Sequence, residues 1–89
     1  IDQFARKQLG EYSSYFIHSL GHGLGIEIHE KPSYLKENNY KIKPGHVFTI
    51  EPGIYFPGKY GLRIEDTIVF DGKIKILTKS RKELIKVKI

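Results

Sequence analysis

Residues 15–30, YFIHSLGHGLGIEIHE, set three histidines, His18, His22 and His29, among three glycines, Gly21, Gly23 and Gly25. Separations of four and seven residues would stack the imidazoles on one face of a helix. The glycines argue against that helix, because each costs a helix interior roughly 1 kcal/mol relative to alanine. Glycine also lets the backbone pass close to a partner. The stretch therefore reads as a glycine-rich loop carrying His22, opening into a strand from about Ile26 that ends near His29. Only one other histidine, His46, exists in the chain, so the imidazoles are concentrated here.

The remaining segments supply a scaffold for that loop. DQFARKQL (residues 2–9) reads as a short amphipathic helix or the end of a longer one, with Phe4, Ala5 and Leu9 on its buried side and Gly10 as its stop. Lys31-Pro32-Ser33 breaks the strand after the loop, and residues 34–43 read as a polar, exposed connection closed by a tight turn at Pro44-Gly45. His46–Glu51 has the β-branched and aromatic content of a strand, which Pro52-Gly53 interrupts before Ile54–Phe56 resumes it. After a loop over residues 57–61, Leu62–Phe70 reads as one strand with Leu62, Ile64, Ile68 and Phe70 on one face. Asp71-Gly72 signals a hairpin returning through Lys73–Leu77, and residues 78–85 have the composition for one or two helical turns. These elements make an α+β fold dominated by antiparallel strands.

Charge is balanced over residues 1–70, with eight Lys/Arg and eight Asp/Glu, and the whole excess of +5 lies in residues 71–89. A basic tail can serve nucleic acid or an acidic membrane. Lys73-Ile74-Lys75-Ile76 and Lys86-Val87-Lys88-Ile89 instead alternate as half-buried strands do, and lysine on such strands opposes edge-to-edge association. Neither nucleic acid nor membrane is therefore expected as a partner. No apolar run approaches the roughly 20 residues of a membrane span and nothing resembles a signal peptide, so a cytoplasmic location is expected. The absence of cysteine excludes disulfides and thiolate metal sites. The chain starts with Ile and has no methionine, which predicts a piece of a longer polypeptide.

Two acids stand out. Glu51 is the only Asp, Glu, Lys or Arg in HVFTIEPGIYF (residues 46–56), where a charge must be paired, metal-bound or at the surface before a turn. Glu65 shares a strand face with Arg63 and Thr67, and taken alone it is simply a solvated residue with an ion pair to Arg63. Together with one imidazole, however, two carboxylates make a ligand set suited to Zn, Mn, Co or Fe. Three ligands are too few for two metals, so a dinuclear site would need further carboxylates from outside this stretch.

Three blocks carry a resemblance: HSLGHGLGIEIHE (residues 18–30), PGHVFTIEPGIY (44–55) and GLRIED (61–66). In order and spacing they resemble the C-terminal half of the pita-bread metallopeptidases, a group that includes methionine aminopeptidase, aminopeptidase P and prolidase. The GIEIHE and TIEPGIY wording is most similar to the Xaa-Pro dipeptidase (prolidase) and aminopeptidase P branch. The resemblance implies the C-terminal half of a pita-bread fold, mostly antiparallel sheet with a flanking helix, and makes residues 1–89 part of a metallopeptidase catalytic domain.

It also implies roles. His22 would be a terminal ligand to one of two divalent metal ions, Glu51 a ligand to the same metal and the proton shuttle for a bridging hydroxide, and Glu65 a ligand to both. His29 would contact the substrate and help stabilise the tetrahedral intermediate, His18 would line the substrate pocket, and Arg63 would orient the acidic ligands. The implied reaction is hydrolysis of an Xaa-Pro dipeptide or removal of a peptide's N-terminal residue. Two aspartate ligands and another active-site histidine of the family come from an upstream region; Asp2, Asp66 and Asp71 lie in the wrong blocks to replace the aspartates. These 89 residues alone are thus expected to be inactive, with the upstream part of the same protein as a partner and a homodimer allowed. Two other readings are a pita-bread module that binds peptide or histone without catalysis, and a small sheet domain whose histidines are merely structural. Retention of His22, Glu51 and Glu65 favours the enzyme.

Overall fold

The computed structural model describes residues 1–31 and 40–89. Helix α1 (Asp2–Leu9) forms where the amphipathic pattern predicts, and Gly10 ends it, though the chain continues through a 3-10 helix over Gly10–Tyr15. Among the described residues five strands follow: β1 (Val47–Ile50), β2 (Gly53–Phe56), β3 (Tyr60–Arg63), β4 (Asp66–Phe70) and β5 (Ile74–Ile76). They form a three-stranded antiparallel sheet in the order β1-β4-β5 and a two-stranded sheet of β2 and β3.

The two sheets are one interrupted hairpin. Ile50 faces Asp66 in the first ladder and Gly53 faces Arg63 in the second, so a single register runs through both. Between them, Glu51-Pro52 on one strand oppose Ile64-Glu65 on the other, with Glu51 across from Glu65. Pro52 has no N–H to give a ladder, which breaks the pairing locally; Ile64 N–H still reaches Pro52 C=O at 3.3 Å. The expected continuous strand Leu62–Phe70 is therefore divided between two sheets, because the break is imposed by the partner strand. Tyr60 and Gly61, expected in a loop, already belong to β3.

Phe16, Leu20, Phe48 and Ile68 form the core, with Phe48 and Ile68 directly paired across β1 and β4. Ala5, Leu9, Ile42, Ile50 and Phe70 pack around them. Phe4, expected with Ala5 and Leu9 on the buried face, is exposed. Leu62 and Ile64 instead line an apolar recess with Leu9, Pro52, Gly53 and Ile54. The Asp71-Gly72 turn does connect β4 to β5, with Gly72 at φ +70° and Asp71 N–H bonded to Lys73 C=O.

Three local expectations fail. Residues 26–29 form no strand; Gly23 bridges Glu30 and Phe48, and the residues between bend outward with Ile26 and Ile28 exposed. Residues 78–85 are not helical, since Leu84 and Ile85 are exposed and a short helix gains little without an apolar surface to bury. Residues 86–89 form no strand, and Ile74 and Ile76 on the edge strand β5 are both exposed. The expected break at 31–33 and the connection over 34–43 lie largely outside the described residues. Among the described residues, no helix is long and apolar enough to cross a membrane.

Candidate metal centre

The histidine loop is laid along β1. Leu24 N–H bonds to Val47 C=O at 3.0 Å, Thr49 N–H to His22 C=O at 2.8 Å and Glu51 N–H to Leu20 C=O at 2.7 Å. Such an approach needs glycine: a Cβ on Gly21 would fall 1.8 Å from the Thr49 carbonyl oxygen. The consequence is that His22 and Glu51, twenty-nine residues apart in sequence, share one edge.

His22 Nε2 lies 3.6 Å from Glu51 Oε2, with both side chains mostly buried. The other ring nitrogen, Nδ1, is 2.9 Å from Gly23 C=O. A carbonyl can only accept, so Nδ1 carries a proton here, and Nε2 is the ring nitrogen that faces the carboxylate. Thr49 hydroxyl, itself buried, accepts from His22 N–H at 3.1 Å and donates to Glu51 Oε2 at 2.9 Å, holding both residues at once.

Glu65 completes a cluster: ligand atoms of His22, Glu51 and Glu65 all lie within 4.8 Å of one another. An imidazole nitrogen and two carboxylates converge, and like charges opposed across strands are destabilising. A divalent cation satisfies that arrangement, and the nitrogen-oxygen donor set suits a hard-to-borderline ion. Arg63 offers partial compensation, with Nε 3.9 Å from Glu65 Oε2 across a largely exposed pair. Its guanidinium is held above its ordinary pKa chiefly by the Tyr55 hydroxyl, with smaller contributions from Glu51 and Glu65.

The other two histidines of the loop make separate contacts. The His29 ring is 4.2 Å from that of His22 and is exposed. His18 donates from Nδ1 to Ser19 C=O at 2.8 Å and accepts at Nε2 from the Tyr55 hydroxyl at 2.7 Å. All six singled-out residues therefore belong to one neighbourhood, His18 joining it through Tyr55. Sequence reading missed Tyr55, Thr49, Asp2 and Arg6. Thr49 is two residues from Glu51 on the same strand face, a signal that was available. Asp2 and Arg6 are spaced for a helical ion pair, and they form one at 2.6 Å.

Comparison with known proteins identifies the family. Residues 1–71 match metallopeptidase family M24. The chain belongs to that family. It is 49% identical over 88 residues to the Xaa-Pro dipeptidase of Pyrococcus furiosus, covering 96% of this chain and 25% of that protein. Among solved structures, recombinant prolidase from Thermococcus sibiricus superposes with TM-score 0.89 at 49% identity, over 97% of this chain and 24% of that one. Prolidase from Pyrococcus horikoshii OT3 gives 0.87 at 47% identity, over 94% and 25%. The architecture is that of the C-terminal half of the pita-bread fold, and the chain spans about a quarter of the length of these relatives.

Proposed function

We propose that this chain furnishes one side of a dinuclear divalent-metal centre in an exopeptidase that cleaves Xaa-Pro dipeptides or the N-terminal residue of peptides. The observation that carries the reading is the opposition of Glu51 and Glu65 at the hairpin break, with His22 Nε2 3.6 Å from Glu51. Similarity to Xaa-Pro dipeptidases over nearly the whole chain supports the substrate class.

When bound, the metal pair supplies Lewis acidity toward the scissile carbonyl and toward an attacking water. His22 would hold one ion through Nε2, Glu51 the same ion through its carboxylate, and Glu65 both ions. Two aspartates from an upstream part of the protein would complete the set. Glu51, steadied at Oε2 by Thr49, would take the proton of the attacking water and deliver it to the leaving amine. His29, open to solvent beside His22, would contact the substrate and steady the developing oxyanion. His18 has both ring nitrogens engaged, so it would line the pocket with its ring rather than offer a free nitrogen. Arg63 would orient Glu65 and balance the acidic cluster.

The test is Glu51→Gln in the whole enzyme. Turnover of an Xaa-Pro dipeptide should fall by at least about 100-fold, in the range of a lost general base, and turnover within tenfold of the parent would refute the assignment. Metal analysis of the purified enzyme should find about two ions per protomer.

A further inference from the structure

We infer that the Asp2–Arg6 pair on α1 is a positioning device for His18, separate from the frame that holds His22. The inference rests on the reading of His18 as a pocket-lining residue. Asp2 is a buried carboxylate, 4% exposed, at the start of a helix whose other polar residues face outward or lie at its margin. Burying a charge requires partners. Asp2 has two: Oδ1 accepts from Arg6 Nε at 2.6 Å, and Oδ2 accepts from Leu20 N–H at 2.9 Å.

Arg6 spends its remaining donors on the same segment. Nη1 donates to Phe16 C=O and Nη2 to His18 C=O, each at 2.6 Å, while the guanidinium lies 4.3 Å over the Phe16 ring. Three N–H directions of one planar fork are thus fixed on a carboxylate and two carbonyls two residues apart. No β-strand pairs with residues 16–18 among the described residues, so these side chains take the place of a ladder. Leu20 is the point of exchange: its N–H belongs to Asp2, its C=O to Glu51 N–H on the β1 side. Upstream of it the loop hangs on α1. Downstream, through His22 to Leu24, it hangs on β1. The two backbones are anchored to different elements, the His18 ring bonding also to Tyr55 on β2, so loosening the hold of α1 should move His18 and leave His22 in place.

The experiment is Arg6→Lys in the whole enzyme, with Asp2→Asn beside it. Lysine keeps the charge for Asp2 but cannot span both carbonyls; asparagine keeps an acceptor for Leu20 N–H while giving up the charge. In Arg6→Lys, KM for Ala-Pro should rise about tenfold or more, with kcat changed less than about threefold and metal content unchanged, since small misplacements of a positioning group are costly. Asp2→Asn should show the same split to a smaller degree. In metal-free protein, the His18 imidazole resonances, assigned by their loss in His18→Ala, should shift in Arg6→Lys while those of His22 stay put. Unshifted His18 resonances, or His22 shifting equally, would overturn the inference. If Arg6→Lys does not fold, Asp2→Asn carries the same resonance test. Should His18→Ala leave KM unchanged, the pocket role of His18 fails, and the resonance pattern still decides the anchoring by itself.

Discussion

Glu51 faces Glu65 across the one interrupted step of an otherwise continuous antiparallel register, so two carboxylates are opposed where the backbone ladder is broken. A third donor, His22 Nε2, converges on the same point, where a cation would offset the two charges. The expected consequence is a cost in stability without metal and a gain with it.

Glu65→Gln should accordingly act with opposite signs in the two states. Removing one of two opposed like charges should stabilise the metal-free protein by about 0.2–1 kcal/mol, the size of a cross-strand pair term. The same change should abolish most of the increase in melting temperature produced by Mn or Zn. Thermal denaturation with and without metal measures both; a variant destabilised without metal and still protected by it would contradict the opposition.

Thr49→Val keeps the side-chain shape and removes the hydroxyl that joins His22 N–H to Glu51. An unpaired N–H in this partly buried position should cost about 1–3 kcal/mol. Loss of the oriented carboxylate should weaken metal binding by about 10–100-fold, as for other groups that hold ligands. Denaturant titration and metal titration read the two separately, and Thr49→Ser should restore most of both.

Gly21→Ala should be far worse than Gly72→Ala. A Cβ at position 21 would meet the Thr49 carbonyl oxygen at 1.8 Å, forcing the histidine loop off β1. At Gly72 nothing lies within 4 Å, and only φ of +70° is at stake, a penalty of roughly 1–2 kcal/mol. Melting temperature and metal content should both collapse in the first variant, whereas the second should lose only melting temperature.

Much of this could be read from residue types. The Gly-His alternation named the loop, and Pro52 named the interruption after Glu51. What escaped was set by partners distant in sequence. Arg63-Ile64-Glu65-Asp66 keeps a strand's alternation, and only Pro52 on the opposite strand breaks it. Gly25–His29 alternates equally well, yet among the described residues no ladder reaches its middle, and Ile26 is left fully exposed. Asp2 looked like an acid at a helix start, a favourable place near the positive end of the dipole. Its burial follows from Arg6 and Leu20 N–H, and nothing local announces the second of these. Residues 78–85 have helical composition, but local propensity cannot hold two turns without a face to bury.

The C-terminal tail is fastened by an acid whose titration should be visible. Asp66 accepts from the Thr78 hydroxyl and pairs with Lys82 Nζ at 2.9 Å. These contacts, the Thr78 hydrogen bond first, hold its carboxyl below the ordinary value of 3.8. A depressed carboxylate pKa means that the contact's contribution is complete above the unfolded value and is lost as pH falls through the folded one. Residues 78–82 should therefore stay docked through neutral and mildly acidic pH and release only below 3.8. The Thr78 amide resonance, followed from pH 7 downward, should move with a midpoint under that value. Asp66→Asn should flatten the transition, and Lys82→Ala should raise its midpoint toward 3.8 without removing it, because the Thr78 bond remains. A midpoint at or above 3.8 in the parent would mean that the tail is not held by the ionised carboxylate.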